Sequence, residues 1–254
     1  MKLKSILTLA LGLALATAHA QQTITPDTIA TKQGPLVLQP ITHGTLALSF
    51  NGQTIYVDPT GGAEAFQGLA APNLILITDI HGDHLDPKTL DALPTTGVTM
   101  VVPQAVADKL PEKYKSQLKV LKNGESVTMI GINIKAIPMY NLPESADARH
   151  TKGRGNGYVL EMGGKRVYLS GDTEGIPEMR KLKNIDVAFV SMNLPYTMDV
   201  DQAADAVLDF KPKVIYPYHY RGQNGLSDVA SFKQQVNAKN KKIDVRLRDW
   251  YAKQ

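Results

Sequence analysis

The 254-residue chain has no cysteine, a single tryptophan and few aromatics, 6% in all. Without cysteine it can build no disulfide framework, thiolate nucleophile, thiol redox couple or cysteine-rich zinc site. Any metal must then be held by histidine and carboxylate. Long apolar runs are also scarce. The one approach to such a run, residues 6–16, is shorter than the roughly 20 residues a membrane span needs. No internal repeat, low-complexity segment or linker divides the chain. With 43% hydrophobic and 20% charged residues, a disordered or collagen-like protein is excluded and a packed core is expected.

The first 20 residues read as a secretory leader. Lys2 and Lys4 precede the apolar run, and Ala18-His19-Ala20 fits a small-x-small cleavage site. The expectation is an exported protein, periplasmic or extracellular, with residues 21–254 forming one domain. Removing the leader takes two lysines and no acidic residue, so 26 basic side chains face 24 acidic ones and the net charge falls from +4 to +2. So small a charge gives little reason to expect nucleic acid as a partner. The basic run Lys239, Lys241, Lys242, Arg246 and Arg248 reads as a solvated helix end and edge strand.

Short β-branched runs alternate with amphipathic stretches. Strands are predicted at residues 45–50, 54–57, 74–78, 99–102, 132–137, 157–162, 166–170, 187–190 and 214–216. Asn51-Gly52 and Gly163-Gly164 each sit between two such runs, a hairpin signal. Helices are predicted at 104–110, 200–210 and 228–238, with Asp199 and Ser227 as N-caps. Hairpins early and strand–helix units late suggest an α/β protein with more than one sheet.

The chemistry concentrates after the apolar strand at 74–78, where the chain reads Asp79-Ile80-His81-Gly82-Asp83-His84. Four candidate ligands within six residues, beyond the carboxyl end of a buried strand, occupy the place where α/β sheets gather their sites. Imidazole with carboxylate suits a borderline divalent ion such as Zn²⁺, with Mn²⁺ and Fe²⁺ as rivals.

This segment resembles the His-x-His-x-Asp-His signature of the metallo-β-lactamase superfamily, with Asp79 where the first histidine is usual. His150 before a strand, Gly171-Asp172-Thr173 after one, and His219 after another complete an ordered set similar to the ascorbate-6-phosphate lactonase-like branch. The resemblance runs from about residue 41 to 220 and implies a four-layer αββα sandwich of two mixed sheets flanked by helices. It also implies two metal sites: Asp79, His81 and His150 at one, Asp83, His84 and His219 at the other, with Asp172 bridging. Asp79 makes the first site harder and more negative, and leaves open occupancy of the centre by one ion instead of two. A competing reading has Asp79 orienting a ligand histidine instead of binding metal.

The implied reaction is metal-assisted hydrolysis. Water acidified by the cations attacks a carbonyl or phosphoryl centre, without a serine or cysteine nucleophile. Asp83 is the candidate to accept or relay a proton. His43 and Asp58, in Thr42-His43-Gly44 and Asp58-Pro59, resemble family features that orient ligands or line the pocket. A core histidine and a turn-starting aspartate are the alternatives. Asn193 and Tyr196 are candidates to face substrate. Tyr218, Tyr220 and Arg221 flank His219 and could hold an anionic group, although packing explains the tyrosines equally well. Gly153-Arg154-Gly155 precedes a strand, so it reads as a flexible loop and not a dinucleotide fingerprint.

The expected function is an exported hydrolase of a small ester, lactone or phosphoester. Its expected partner is a small-molecule substrate, with no nucleic acid and no stable membrane insertion after leader removal; oligomer formation stays open. Two other readings compete: a non-catalytic metal- or ligand-binding protein on the same fold, and a β-lactam hydrolase.

Overall fold

Glycine-bearing turns and apolar alternation generate two sheets. The computed structural model describes residues 24–251, and the expected leader lies outside them. Sheet one runs β1 (Asp27–Thr31), β2 (Gly34–Thr42), β3 (Thr45–Phe50), β4 (Gln53–Val57), β5 (Leu74–Leu76), β6 (Thr99–Val102) and β7 (Leu118–Val120). Pairing is antiparallel up to β4 and parallel beyond it.

Sheet two repeats this plan. Its strands β8 (Ser126–Met129), β9 (Ile132–Met139), β10 (Gly155–Met162) and β11 (Lys165–Leu169) form an antiparallel meander. Then β12 (Val187–Ser191) and β13 (Val214–Tyr218) join in parallel. A small ladder, β14 (Arg221–Gly222) with β15 (Gly225–Leu226), follows β13, and β16 (Asp244–Val245) closes the edge. The expected division into early hairpins and late strand–helix units is therefore corrected. Each half has both, because a meander turns back directly whereas parallel neighbours need a crossover.

Both predicted hairpins form, β3–β4 at Asn51-Gly52 and β10–β11 at Gly163-Gly164. Strands β1, β2, β7 and β8 escaped the sequence reading. The alternation of β1 and β2 is diluted by Thr and Gln, and β7 and β8 are edge strands of three and four residues with little burial.

Strand β5 and the segment beyond it show why a continuous apolar run was needed. Leu74 and Leu76 pack into the cluster between the sheets with Leu46, Val57, Tyr158 and Leu169. Ile75 and Ile77 face the other way, onto Leu90 of α1 (Pro87–Ala92) and Val106 of α2 (Gln104–Lys109). On the far side, α3 (Pro177–Arg180), α4 (Val200–Phe210) and α5 (Val229–Lys239) cover sheet two through Met179, Ala203, Val207 and Phe232. Asp199 caps α4 in a full capping box with Gln202, as expected. For α5 the cap is Asp228, not Ser227. The Asp228 carboxylate accepts from Ser231 N–H, and the Ser227 hydroxyl donates to the Met192 carbonyl instead. No helix among the described residues is long and apolar enough to cross a membrane.

Two of the basic residues in the carboxyl-terminal run do more than face solvent. Arg246 and Arg248 both reach Asp27 on β1, whose Oδ2 also accepts from Tyr216 on β13 at 2.6 Å, so the carboxylate clamps sheet one to sheet two. Burial opposes the Asp27 charge, but Tyr216, the Thr28 amide and Arg246 outweigh it and lower its pKa from 3.8. An acid depressed in the folded state contributes stability above its unfolded value and loses it as pH falls through the folded value. Asp27→Asn is therefore expected to cost about 1 kcal/mol at pH 7 after solvent screening. The cost should shrink as pH falls below 3.8 and vanish once it has passed through the lower folded value, measured by urea unfolding across pH.

Candidate metal centre

Three loops at the carboxyl ends of β5, β11 and β13 meet at one mouth of the sandwich. Beyond β5, a tight turn in which His84 N–H and Leu85 N–H both donate to the His81 carbonyl gathers Asp79, His81, Asp83 and His84. Asp172 follows β11 and His219 follows β13, while His150 lies in the loop before β10. Asp79, His84, His150 and His219 are fully buried, and Asp172 is 3% exposed.

The donors fall into two clusters, the second of which joins the overlapping sets His84, Asp172, His219 and His43, Asp83, His219. Asp79, His81 and His150 present ligand atoms to one another, with His81 Nδ1 2.6 Å from Asp79 Oδ2 and His150 Nε2 3.8 Å from it. In the second group, His84 Nε2 and His219 Nε2 are 3.2 Å apart, and Asp83 Oδ2 is 3.3 Å from His219 Nε2. Asp172 lies between the groups. Its Oδ2 is 3.2 Å from His150 Nε2 and 3.4 Å from His84 Nε2, and its Oδ1 is 3.4 Å from His219 Nε2.

Hydrogen bonding alone does not account for this convergence. His81 Nδ1, His150 Nε2 and Asp172 Oδ1 are buried without a hydrogen-bond partner, although oxygen or nitrogen atoms lie close. Unpaired buried polar atoms carry a substantial penalty. Four donors each about 2.0–2.1 Å from a tetrahedral zinc would lie about 3.3 Å from one another, close to the separations seen here. The residues fit a divalent cation.

The residues behind the donors set their tautomers. His84 Nδ1 is 2.8 Å from Asp58 Oδ2 and donates to it, leaving the Nε2 lone pair aimed at the centre. Asp58 is fully buried and also accepts from Thr78 N–H at 2.7 Å and Thr78 Oγ1–H at 2.6 Å. Burial pushes the Asp58 carboxyl up, and His84 and Thr78 only partly offset it. Burial alone would lower His84, but Asp172 and Asp58 together hold it well above its usual value. His150 is oriented likewise by Asn141, whose Oδ1 accepts from the ring Nδ1 at 3.1 Å and the backbone N–H at 2.8 Å. Burial works against the charges of Asp83 and Asp172, yet the surrounding histidines depress both carboxyls, Asp172 well below its usual range.

Backbone geometry is specialised here. His43, Asp58 and His219 all hold left-handed φ angles, of 49°, 45° and 48°, which L-residues enter only at a cost. Gly44 is required for a different reason: a Cβ there would stand 2.9 Å from the His219 ring and 3.4 Å from that of His84.

The remaining candidates distribute as follows. His43 links Asp83 to the carboxyl-terminal segment, with Nε2 3.2 Å from Asp83 Oδ2 and Nδ1 2.6 Å from the Tyr251 hydroxyl. Burial lowers the His43 pKa, and the Asp83 bond only partly opposes this. Asn193 and Tyr196 line a cavity of about 280 Å³ together with His43, Asp83, Asp172 and Arg221. Tyr218 does not line it. Its buried hydroxyl accepts from Gly171 N–H at 3.0 Å, supporting the turn that carries Asp172. Tyr220 packs against Tyr251 and bonds the Arg248 carbonyl, so packing is the reading that fits it.

Sequence reading missed Asn141, Arg149, Tyr251 and above all Arg154. The guanidinium of Arg154 grips both oxygens of Asp79, with Nε at 3.2 Å from Oδ1 and Nη2 at 3.1 Å from Oδ2. Its side chain is only 19% exposed, so the expected flexible loop is a fixed one at this residue. Burial raises the Asp79 carboxyl, but His81, His84 and Arg154 bring it below its usual value.

Residues 38–219 match the β-lactamase superfamily domain. Over 199 residues the chain is 30% identical to a metal-dependent hydrolase of Pyrococcus abyssi, covering 74% of this chain and 87% of the relative. Among solved structures it is similar to a metal-dependent hydrolase from Parabacteroides distasonis, at 40% identity and a TM-score of 0.78, covering 89% and 99% of the two chains. A metallo hydrolase of the archaeon Ignicoccus hospitalis gives 25% identity and a TM-score of 0.71, with 84% and 94% covered.

Proposed function

This chain belongs to the β-lactamase superfamily and is a metal-dependent hydrolase; from that premise we propose that it is exported and cleaves a small ester, lactone or phosphoester carrying an anionic group. The observation that carries the catalytic reading is Asp172, buried between two groups of converging histidine and carboxylate donors. In this reading Asp79, His81 and His150 hold one divalent cation, Asp83, His84 and His219 a second, and Asp172 belongs to both. Zinc is favoured by the imidazole-rich set, with manganese and iron as rivals. When bound, such cations acidify water and polarise the oxygen of a carbonyl or phosphoryl group.

The chain's own groups then supply orientation and proton handling. Asp83 faces the cavity and is steadied by His43, which places it to hold a cation and to relay a proton between the cavity and His43. Asp58 and Asn141 keep His84 and His150 in the tautomers that present Nε2. Two arginines in the cavity wall are braced on aromatic faces, Arg149 over Tyr196 at 4.4 Å and Arg221 over Tyr251 at 4.1 Å. Fixed guanidiniums beside the cavity support a substrate with a carboxylate or phosphate. Export rests on the leader-like residues 1–20.

Stripping the purified protein with chelator is expected to abolish hydrolysis, and Zn²⁺ or Mn²⁺ to restore it. Among ester, lactone, phosphodiester and β-lactam probes, anionic ester, lactone or phosphodiester compounds should turn over faster than neutral analogues. Tight metal binding with no turnover of any probe would favour the non-catalytic binding protein. Preferential β-lactam cleavage would favour the lactamase.

A further inference from the structure

We propose that Arg154 makes the two halves of the centre unequal, so that a divalent cation is held tightly by Asp83, His84, Asp172 and His219 and much more weakly by Asp79, His81 and His150. The inference rests on the proposed metal-holding role of these residues and adds an order of loading to it.

Charge is the first argument. Asp83 gives the second group a carboxylate of its own beside two imidazoles, Asp172 is shared with His150 of the first group, and among the described residues no arginine or lysine is paired to Asp83 or Asp172. In the first group the single carboxylate of its own, Asp79, is matched by the guanidinium cation of Arg154. The Asp79–Arg154 pair is neutral overall, as is the histidine that the resembled signature carries at this position. The carboxylate thus replaces an imidazole without adding net charge, and the gain in cation attraction expected from Asp79 alone is cancelled.

Lone pairs are the second argument. A carboxylate offers about four acceptor positions. Arg154 takes one on each oxygen, and His81 Nδ1 sits 2.6 Å from Oδ2. A cation at this group competes for Asp79 with a bidentate guanidinium, one of the stronger hydrogen-bonded pairings in proteins. Among the described residues no guanidinium is paired to the second group's carboxylates: Asp83 Oδ2 meets His43 Nε2 at 3.2 Å, and Asp172 meets imidazole nitrogens of His84, His150 and His219.

The placement of Arg154 is built into the fold. Asn156 N–H donates to the Thr78 carbonyl at 2.9 Å, which fixes the start of β10 against the residue just before Asp79. Gly155 permits that approach, since a Cβ there would stand 2.9 Å from the Thr78 oxygen. Arg154 N–H also closes a turn onto the Thr151 carbonyl at 3.2 Å. The guanidinium therefore meets Asp79 by strand registration and not by the wandering of a surface side chain.

The test is calorimetric titration of the chelator-stripped full protein with Zn²⁺ and, separately, Mn²⁺. The wild type should bind one equivalent tightly and a second at least about tenfold more weakly, or too weakly to detect. Arg154→Gln should tighten the weaker equivalent by about tenfold or more, or make it detectable, while shifting the tighter one by less than about threefold. If Arg154→Gln fails to fold because buried Asp79 loses its partner, Asp79→His combined with Arg154→Gln supplies a neutral ligand, and two near-equal equivalents are expected. Equal affinities in the wild type, or a weaker equivalent weakened further in either variant, would overturn the inference and leave the metal-dependent reading standing. No binding of either metal by any of the proteins would overturn both.

Discussion

Asp172→Ala is expected to lower kcat/KM by at least about a thousandfold, roughly 4 kcal/mol of transition-state stabilisation, while the protein still folds. Among the described residues Asp172 contacts histidines of both donor groups, at 3.2 to 3.4 Å. Losing it removes a carboxylate from each group at once, so metal affinity and turnover should fall together. The fold should survive because the alanine leaves no buried charge of its own, and His84 keeps Asp58 as a partner. Steady-state kinetics, metal content of the purified variant and circular dichroism give the three readouts. Unchanged turnover in a variant that has lost its metal would sink the hydrolytic mechanism.

The second large effect is structural in origin. Asp58→Ala is expected to destabilise the protein by about 3–5 kcal/mol, because three buried donors lose their acceptor at once. Those donors are Thr78 N–H, Thr78 Oγ1–H and His84 Nδ1–H, all within 2.8 Å of the carboxylate. For a chain of this size the loss corresponds to about 8–15 °C in melting temperature. Released from Asp58, the His84 ring is also free to turn its Nε2 away from the centre, so metal affinity should drop by about 10- to 100-fold. Asp58→Asn, which keeps one acceptor, should fall between the wild type and alanine. Thermal unfolding with and without added zinc separates the two contributions. A variant as stable as the wild type, with undiminished metal affinity, would show that Asp58 is merely a turn residue.

Different parts of this protein were legible in the sequence for different reasons. The buried strand β5 and the ligand-rich turn beyond it announce themselves, because both signals are local: an apolar run, then four polar ligands in six residues. The hairpins at Asn51-Gly52 and Gly163-Gly164 and the cap of α4 were readable on the same footing, since turn and cap chemistry depends on neighbours in the chain. Strands such as β7 and β8 were not. Three or four residues with modest burial carry too short a pattern, and they are strands only because a long neighbour pairs with them.

The sequence alone determined which side chains could do the chemistry. With no cysteine and five histidines among residues 21–254, the chain could build a metal site from oxygen and nitrogen ligands, and all five histidines lie in the candidate donor groups, His43 beside Asp83 and His219. Tertiary structure alone decided how those side chains are held and balanced. Asp79 meets Arg154 across 75 residues, His84 meets Asp58 across 26, and His43 meets Tyr251 across 208. No periodicity or motif encodes such pairs. They arise where strand registration brings distant loops to one mouth of the sandwich, and low solvent exposure there makes each partner's charge count.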